Sequence, residues 1–406
     1  MKNIILTIII LFNLNVKAQE VNISDPLEVD YKIGNGLNFN FNNGNYLFKI
    51  GGMIQPYVGF QKDSTSDSKY LLNAKRTYFN ISGKAAKEKI SFLIQTDFSL
   101  SSPLLDAWVA FMPYKNLKFT VGQVQTFANN KEMSIMENQL QFMDRSLVSE
   151  QYSSLGREFG LFIESQFNFG KIGFVPQVAI TSGDGRNSFG ASSIDYDFGG
   201  LKYAGRLNLY PLGYFSEGNN TQIADIKGEQ KPKLAIGASA SYNVGATNSK
   251  GEGHGSFLLY NELGKNKLPD YRKLYYDLIF KYKGFSFLTE YVLATAKVTE
   301  GTYLDINALN EIKTTQISEI LSLGSGLNTQ VGYVYNKKYG IDFRYSKVTP
   351  EFKTNTNSII KERSEWTLGL TKYVDENNLK YGASFSQINT GTATNSIGSF
   401  FVQVAF

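Results

Sequence analysis

The sequence predicts an all-β protein: a 16-stranded antiparallel transmembrane β-barrel with an inward-folded helical third loop. Three observations predict it. Apolar and polar residues alternate with a period of two in about sixteen segments. The connections between these segments alternate between short turns and long loops. The chain closes on SFFVQVAF, an alternating strand that ends in an aromatic residue.

Composition narrows the possibilities. The 406 residues contain no Cys and one His, which excludes disulfides, thiol nucleophiles and thiolate metal sites, and leaves little with which to build a His-based metal site or triad. No cofactor or metal is expected. The formal net charge of +5, with no Lys/Arg-rich run, offers nucleic acid no basic stripe.

Residues 1–18, MKNIILTIIILFNLNVKA, read as a signal peptide: Lys2 supplies the positive end, Ile4–Leu14 the apolar run, and Val16 and Ala18 the small-residue cleavage site. The apolar run is about 11 residues, short of the roughly 20 that span a bilayer as a helix. Removing it takes Lys2 and Lys17 and no acid, so 41 basic side chains become 39 against 36 acidic ones. Residues 19–45, which include NGLNFNFNNGN, form a polar lead-in or a short extra strand, too short for a peptidoglycan-binding domain. Residues 46–406 form the barrel.

The strands are expected near 46–61, 69–83, 90–99, 105–112, 117–124, 157–169, 172–182, 198–210, 233–243, 273–283, 285–297, 325–336, 339–348, 363–374, 379–389 and 397–406. The clearest is 325–346. There Leu327, Thr329, Val331, Tyr333 and Tyr335 share one face, and after a tight turn Ile341, Phe343 and Tyr345 oppose Asp342, Arg344 and Ser346. Short turns fall at Pro113–Asn116, Gly170–Lys171, Lys283–Gly284, Asn336–Lys338 and Asp375–Asn378. Long loops fall at 125–156, 244–272, 298–324 and 349–362. The 211–232 connection is long yet lies on the short-turn side, against the pattern.

Period alone does not separate a soluble barrel, apolar inside, from a membrane barrel, apolar outside. Aromatics near strand ends (Tyr46, Tyr57, Tyr114, Phe169, Tyr282, Tyr373) suit interfacial girdles, and mid-strand charges suit a wet lumen. The last strand must also close against the first, because an open edge in lipid leaves backbone groups unsatisfied. Phe400, Val402, Val404 and Phe406 alternate toward that end as an assembly signal read by the barrel assembly machinery. The chain is expected in the outer membrane, in contact with its lipid.

Residues 127–150 lack alternation. Met133, Met136, Leu140 and Met143 recur at spacings of three and four, which predicts one or two short helical pieces between the fifth and sixth strands. A Met- and Leu-rich loop either folds into the barrel mouth and narrows it or caps the barrel rim, and the inward fold is the expectation.

The segment QFMDRSLVSEQYSSLGREFGLFI (141–163) resembles the constriction-loop signature of the phosphate-selective porin O/P family. The matching residues are Met143-Asp144-Arg145-Ser146-Leu147-Val148 and Gly156-Arg157-Glu158-Phe159-Gly160. KIGGMIQPYVGF (49–60), AKRTYFNISGK (74–84), DAWVAF (106–111) and YAGRLNLYPLG (203–213) add weaker likenesses. The resemblance implies a sixteen-stranded, homotrimeric porin with an inward third loop, conducting small hydrophilic solutes or anions such as phosphate.

Parity gives the lumen's charge. The basic candidates are Arg76, Lys118, Lys202, Arg206, Lys281, Arg344 and Lys380; the acidic ones are Asp97, Asp106, Glu158, Glu164, Asp277, Glu290 and Asp342. The loop adds Lys131 and Arg145 against Glu132, Glu137, Asp144 and Glu150. An anion pore needs a basic surplus at its narrowest point, and this count supplies none, so a general small-solute channel is the expectation. Arg76, Lys202 and Arg206 could form one basic wall. Each charge could equally serve a structural pair, as with Asp342 and Arg344 on one face, and Asp144, Arg145 and Arg157 could pin the loop. The alternative to a channel is a non-conducting barrel acting as scaffold or partner in an envelope complex. An enzyme is not expected: the sole histidine, His254, sits in a Gly-rich outer loop with nothing to hold it against a nucleophile.

Overall fold

Every segment expected to be a strand is one. The computed structural model describes residues 27–64, 67–187, 199–253, 255–297, 300–391 and 393–406; the 1–18 segment and His254 lie outside them. The strands are β1 (Glu28–Lys32), β2 (Gly36–Phe41), β3 (Tyr46–Asp63), β4 (Lys69–Ala85), β5 (Ile90–Asp97), β6 (Leu104–Tyr114) and β7 (Leu117–Gln125). β8 (Arg157–Ser165) breaks at Gln166 and resumes as β9 (Phe167–Phe169), and both parts pair with β10 (Ile172–Thr181). Then follow β11 (Lys202–Tyr210), β12 (Lys233–Asn243), β13 (Asp270–Tyr282), β14 (Phe285–Lys297), β15 (Gly324–Tyr335), β16 (Tyr339–Pro350), β17 (Arg363–Asp375), β18 (Leu379–Asn389) and β19 (Thr394–Ala405).

Each strand pairs antiparallel with its neighbour in sequence, and β19 pairs with β3, from Asn395 opposite Asp63 to Ala405 opposite Met53. With β8 and β9 counted as one interrupted strand, this closes a 16-stranded antiparallel barrel. Closure is completed by a reciprocal pair: Phe406 N–H donates to Gly52 O (2.9 Å) and Gly52 N–H donates to Phe406 O (2.7 Å). Beyond it the first half of β3 would be an open edge. β2 covers that edge, with Leu37 opposite Ile50 and Phe41 opposite Tyr46, and β1 covers β2. The polar lead-in is therefore a hairpin where it is described.

Local chemistry explains the irregularities. Pro56 has no N–H to give a ladder, and the register between β3 and β4 shifts at Gln55/Pro56. Asn336 and Lys337 both take positive φ (49° and 56°), the geometry of a tight hairpin whose twist matches its strands.

The exterior is apolar and the interior polar. Along β16, Ile341 and Phe343 are 58% and 43% exposed, whereas Asp342 and Arg344 are each 1% exposed. The same inversion runs around the wall through Val58, Val109, Val178 and Leu370, all exposed. Bare apolar residues outside and buried charges inside are the inverse of a soluble barrel and define a membrane-spanning one. Tyr114 and Phe169 stand at strand ends, strongly exposed, as girdle residues would. Tyr373 does not: its ring faces inward and packs with Val334, Ala224 and Ile226, so the girdle assignment is wrong there.

The 127–150 loop contains less helix than its spacing suggests. A 3-10 turn spans Glu137–Gln139, and α1 (Leu147–Tyr152), the one α-helix among the described residues, starts on a Ser146 side-chain cap. Met133, Leu140 and Met143 are buried, so their repeat reflects contact with the barrel's inner wall more than helical phase.

Candidate functional site

The loop between β7 and β8 turns into the lumen at Thr126, whose N–H donates to Gly156 O (2.8 Å). It then crosses the barrel and bonds to nearly every wall. Two acidic residues organise it. Glu137 accepts from Arg145 Nη2 (2.9 Å), from Arg157 Nη1 (2.5 Å) and Nη2 (3.0 Å), and from the Tyr78 hydroxyl (3.0 Å). Arg157, the first residue of β8, also donates through Nε to Asp106 (3.2 Å). Glu132 accepts from Ser146 N–H (2.8 Å), the hydroxyls of Ser146 (2.6 Å) and Ser149 (2.5 Å), and Gln330 Nε2 (2.7 Å), and lies 3.5 Å from Arg344 Nη1.

Other bonds hold the loop's backbone. Arg76 on β4 donates to Met143 O (2.9 Å) and Arg344 on β16 to Asp144 O (2.8 Å). Lys380 donates to Leu140 O (2.8 Å), and Gln403 Nε2 to Asn138 O (3.0 Å). Glu290 accepts from Glu132 N–H (3.0 Å) and Asn130 Nδ2 (2.9 Å), and Asp342 from Gln141 Nε2 (2.5 Å). Lys75 pairs with Asp144. α1 seats Leu147, Val148 and Tyr152 among Tyr271, Val292 and Val348 of the far wall.

Electrostatics lock these contacts. Burial opposes ionisation of Glu137, but Arg157 and Arg145 outweigh it and hold the carboxyl well below the usual carboxylate range. Glu132 is likewise buried and is held below its ordinary value chiefly by Arg344. Replacing Glu137 with Ala leaves two buried guanidiniums without their shared partner, a loss of about 3–5 kcal/mol for a broken buried pair. The expected result is a loosened loop, seen as new trypsin cleavage after Lys131 or Arg145 in the folded barrel; resistance equal to wild type would remove Glu137 from the anchoring role. The pH dependence follows in sign. A depressed carboxyl contributes its stability above its unfolded value, about 4.3, and loses it as pH falls through the lower folded value. Loop docking should therefore persist at pH 5 and fail only in stronger acid.

The lumenal residues expected from parity all face inward, and six of the fourteen are held in ion pairs. Arg206 pairs with Asp277 (2.5 Å), Lys202 pairs with Glu158, and Arg344 lies 3.1 Å from Glu365. Lys118 sits 5.3 Å from the centre of the Trp108 ring. Arg76 on β4 stands far around the barrel from Lys202 and Arg206 on β11, so the three form no common basic wall. Asp342 and Arg344 do not pair: the guanidinium is taken by Glu132 and Glu365, and Asp342 turns to Gln141. Asp144, Arg145 and Arg157 pin the loop. Sequence reasoning missed Tyr78, Lys75 and Lys273, whose ammonium donates to Tyr152 O (2.6 Å) at the end of α1. No local motif marks them, because their partners are distant in sequence.

The loop separates two cavities that share no lining residue. One of about 170 Å³ lies on the long-loop side among Lys75, Arg76, Tyr78, Glu137 and Arg145. One of about 590 Å³ lies on the short-turn side among Lys118, Lys131, Glu164, Arg206, Tyr210 and Tyr214. The stretch Met133–Glu137 stands between them.

The closed, outwardly apolar barrel is a fold that solved outer-membrane proteins share. Salmonella typhi OmpF in complex with daunomycin is similar over 90% of this chain and 99% of its own, with 10% identity and a TM-score of 0.55. The outer membrane channel DcaP of Acinetobacter baumannii covers 90% and 99%, at 11% identity and a TM-score of 0.55. An anion-selective porin from Comamonas acidovorans covers 89% and 100%, at 10% identity and a TM-score of 0.53. At such identity the likeness is one of fold. No family model and no curated protein matches the sequence.

Proposed function

We propose that the protein is an outer-membrane porin, a passive diffusion channel for small hydrophilic solutes or ions. The observation that carries this reading is the inward loop, folded across a polar lumen with solvent-sized space on both of its sides. The 1–18 segment directs export, the barrel assembly machinery inserts the chain, and the resemblance at 141–163 supports a homotrimer. Because most lumenal charges are engaged by other protein groups, selectivity rests on the few that face the larger cavity without an ion pair. These are Lys118 and Lys131 against Glu164 and Glu217, since Arg206 is held by Asp277, and they balance. The balance supports a general pore over a phosphate-specific one.

Lys131 makes this testable. Its ammonium has no hydrogen-bond or ion-pair partner among the described residues, and burial together with the Arg206 guanidinium pulls it down to about 8. Raising the pH through that value discharges it. In a planar bilayer under a KCl gradient, the reversal potential should be small at pH 7, shift toward cations by pH 9, and lose that shift in Lys131→Gln. A strong anion-sign potential blocked by added phosphate would instead favour phosphate selectivity.

One observation favours the second reading, a barrel that does not conduct and serves as scaffold in an envelope complex: the loop is bonded to opposed walls and the two cavities have no lining residue in common. Clean insertion without current would select it.

A further inference from the structure

The 211–232 connection joins β11 to β12 on the side where Lys283–Gly284 joins two strands with a two-residue turn. It does not hang outside the barrel. It enters the lumen from the short-turn end and is held there by its own network. The Lys281 ammonium, on β13, donates to Asn219 O (2.6 Å), Gln222 O (2.7 Å) and Ala224 O (3.2 Å). Asp225 accepts from Gly284 N–H (2.8 Å), and Glu229 O from Lys283 N–H (2.8 Å). Within the segment, Glu229 accepts from Ser216 N–H (2.7 Å) and Asn219 Nδ2 (2.8 Å). Three carbonyls around one buried ammonium fix a backbone that would otherwise leave them unsatisfied.

This segment meets the β7–β8 loop in mid-lumen. Ile223 belongs to one apolar cluster with Ile135 and Leu140 of the loop and Ile279 and Leu288 of the wall. Asn377 bridges the two, donating to Gln139 Oε1 (2.9 Å) and Gln222 Oε1 (2.7 Å). Ala224 and Ile226 pack on Val334 and Tyr373. Toward the long-loop end the same side of the barrel is filled by α1 with Leu259, Ile317 and Leu321. The lumen along β13–β17 is thus occupied at both ends. The larger cavity lies on the other side, and Tyr214, Phe215, Glu217 and Asn220 of this same segment line it.

We infer that residues 211–232 are a second inward-folded element that determines the path and the solute preference. They seal the β13–β17 side and form the short-turn-side lining of a path confined to β7–β11. This rests on the channel reading for its function, although the seal itself does not. The consequence is that two elements of opposite origin set the pore's cross-section, one from each end of the barrel.

The absence of cysteine makes the test direct. Single substitutions Glu217→Cys, exposed and lining the cavity, and Ile223→Cys, 1% exposed in the wild type, are made in barrels that keep wild-type heat-modifiable mobility. A charged methanethiosulfonate reagent is added, and labelling is read by mass. The expected result is rapid labelling at 217 with a fall in single-channel current, and protection at 223. Replacing 218–227 with Asn-Gly should then raise conductance about twofold or more, as the open cross-section grows. Labelling at 223 as fast as at 217 overturns the seal. Unchanged current after labelling at 217, or unchanged conductance after the replacement, overturns the path. If the wild type passes no current, the channel reading fails by itself, and protection or labelling at 223 still decides the seal.

Discussion

Deleting residues 130–150 and joining the flanking chain with a short Gly-rich turn is expected to raise single-channel conductance several-fold. The deleted stretch carries Glu132, Glu137 and the carbonyls of Asn138, Leu140, Met143 and Asp144, which meet side chains on β4, β16, β18 and β19. The rise should stop short of the value for an unobstructed sixteen-stranded lumen, because residues 211–232 remain inside; an unchanged conductance sinks the constriction role. The deletion also strands buried groups: Arg157 loses Glu137 and keeps Asp106, and Arg344 loses Glu132 and keeps Glu365. The variant should therefore unfold at lower temperature even as it conducts better, because unpaired buried charges are costly.

Removing Phe406 is expected to cut assembled barrel severely while leaving synthesis and export intact. The residue does two things at once. Its backbone forms the last reciprocal hydrogen-bond pair with Gly52. Its ring, about half exposed, continues the outward row of Phe400, Val402 and Val404, while Phe401, Gln403 and Ala405 face inward. Gly52 has no side chain to spare the ring: a Cβ there would lie 2.8 Å from the Phe406 ring. Without Phe406 the edge of β3 between the end of β19 and the start of β2 loses its cover, and in lipid an unpaired backbone group costs several kcal/mol. Heat-modifiable mobility on gels, with protease protection in cells, reads the outcome. A truncated chain that inserts normally would show that closure does not depend on the terminal residue.

The legibility of this chain differs sharply between wall and lumen. The wall was readable because each strand's alternation reports its own environment: Asp342 and Arg344 inward and Ile341 and Phe343 outward follow from one hairpin. Tyr373 shows the limit. Being aromatic and near a strand end suggested a girdle, but parity places it inward beside the 211–232 segment, whose course no local pattern announces. The loop's inward fold was signalled by its Met and Leu content and by the resemblance at 141–163. Its partners were not, because Glu137 meets Tyr78 and Arg157 across the barrel, 59 and 20 residues away.

By itself, the sequence determined the strand number, the alternation of turns and loops, the inside-out polarity of the wall and the candidate set of lumenal charges. These are properties of period and spacing, fixed by backbone geometry within one strand or one hairpin. Only the tertiary structure decided which charges are spent in pairs, how the β7–β8 loop is pinned, and that the 211–232 connection enters the lumen. Those outcomes depend on which walls face each other across a closed barrel. Desolvation forces each buried charge to find an opposite charge or a hydrogen-bond partner within reach, and reach there is set by closure, not by distance along the chain.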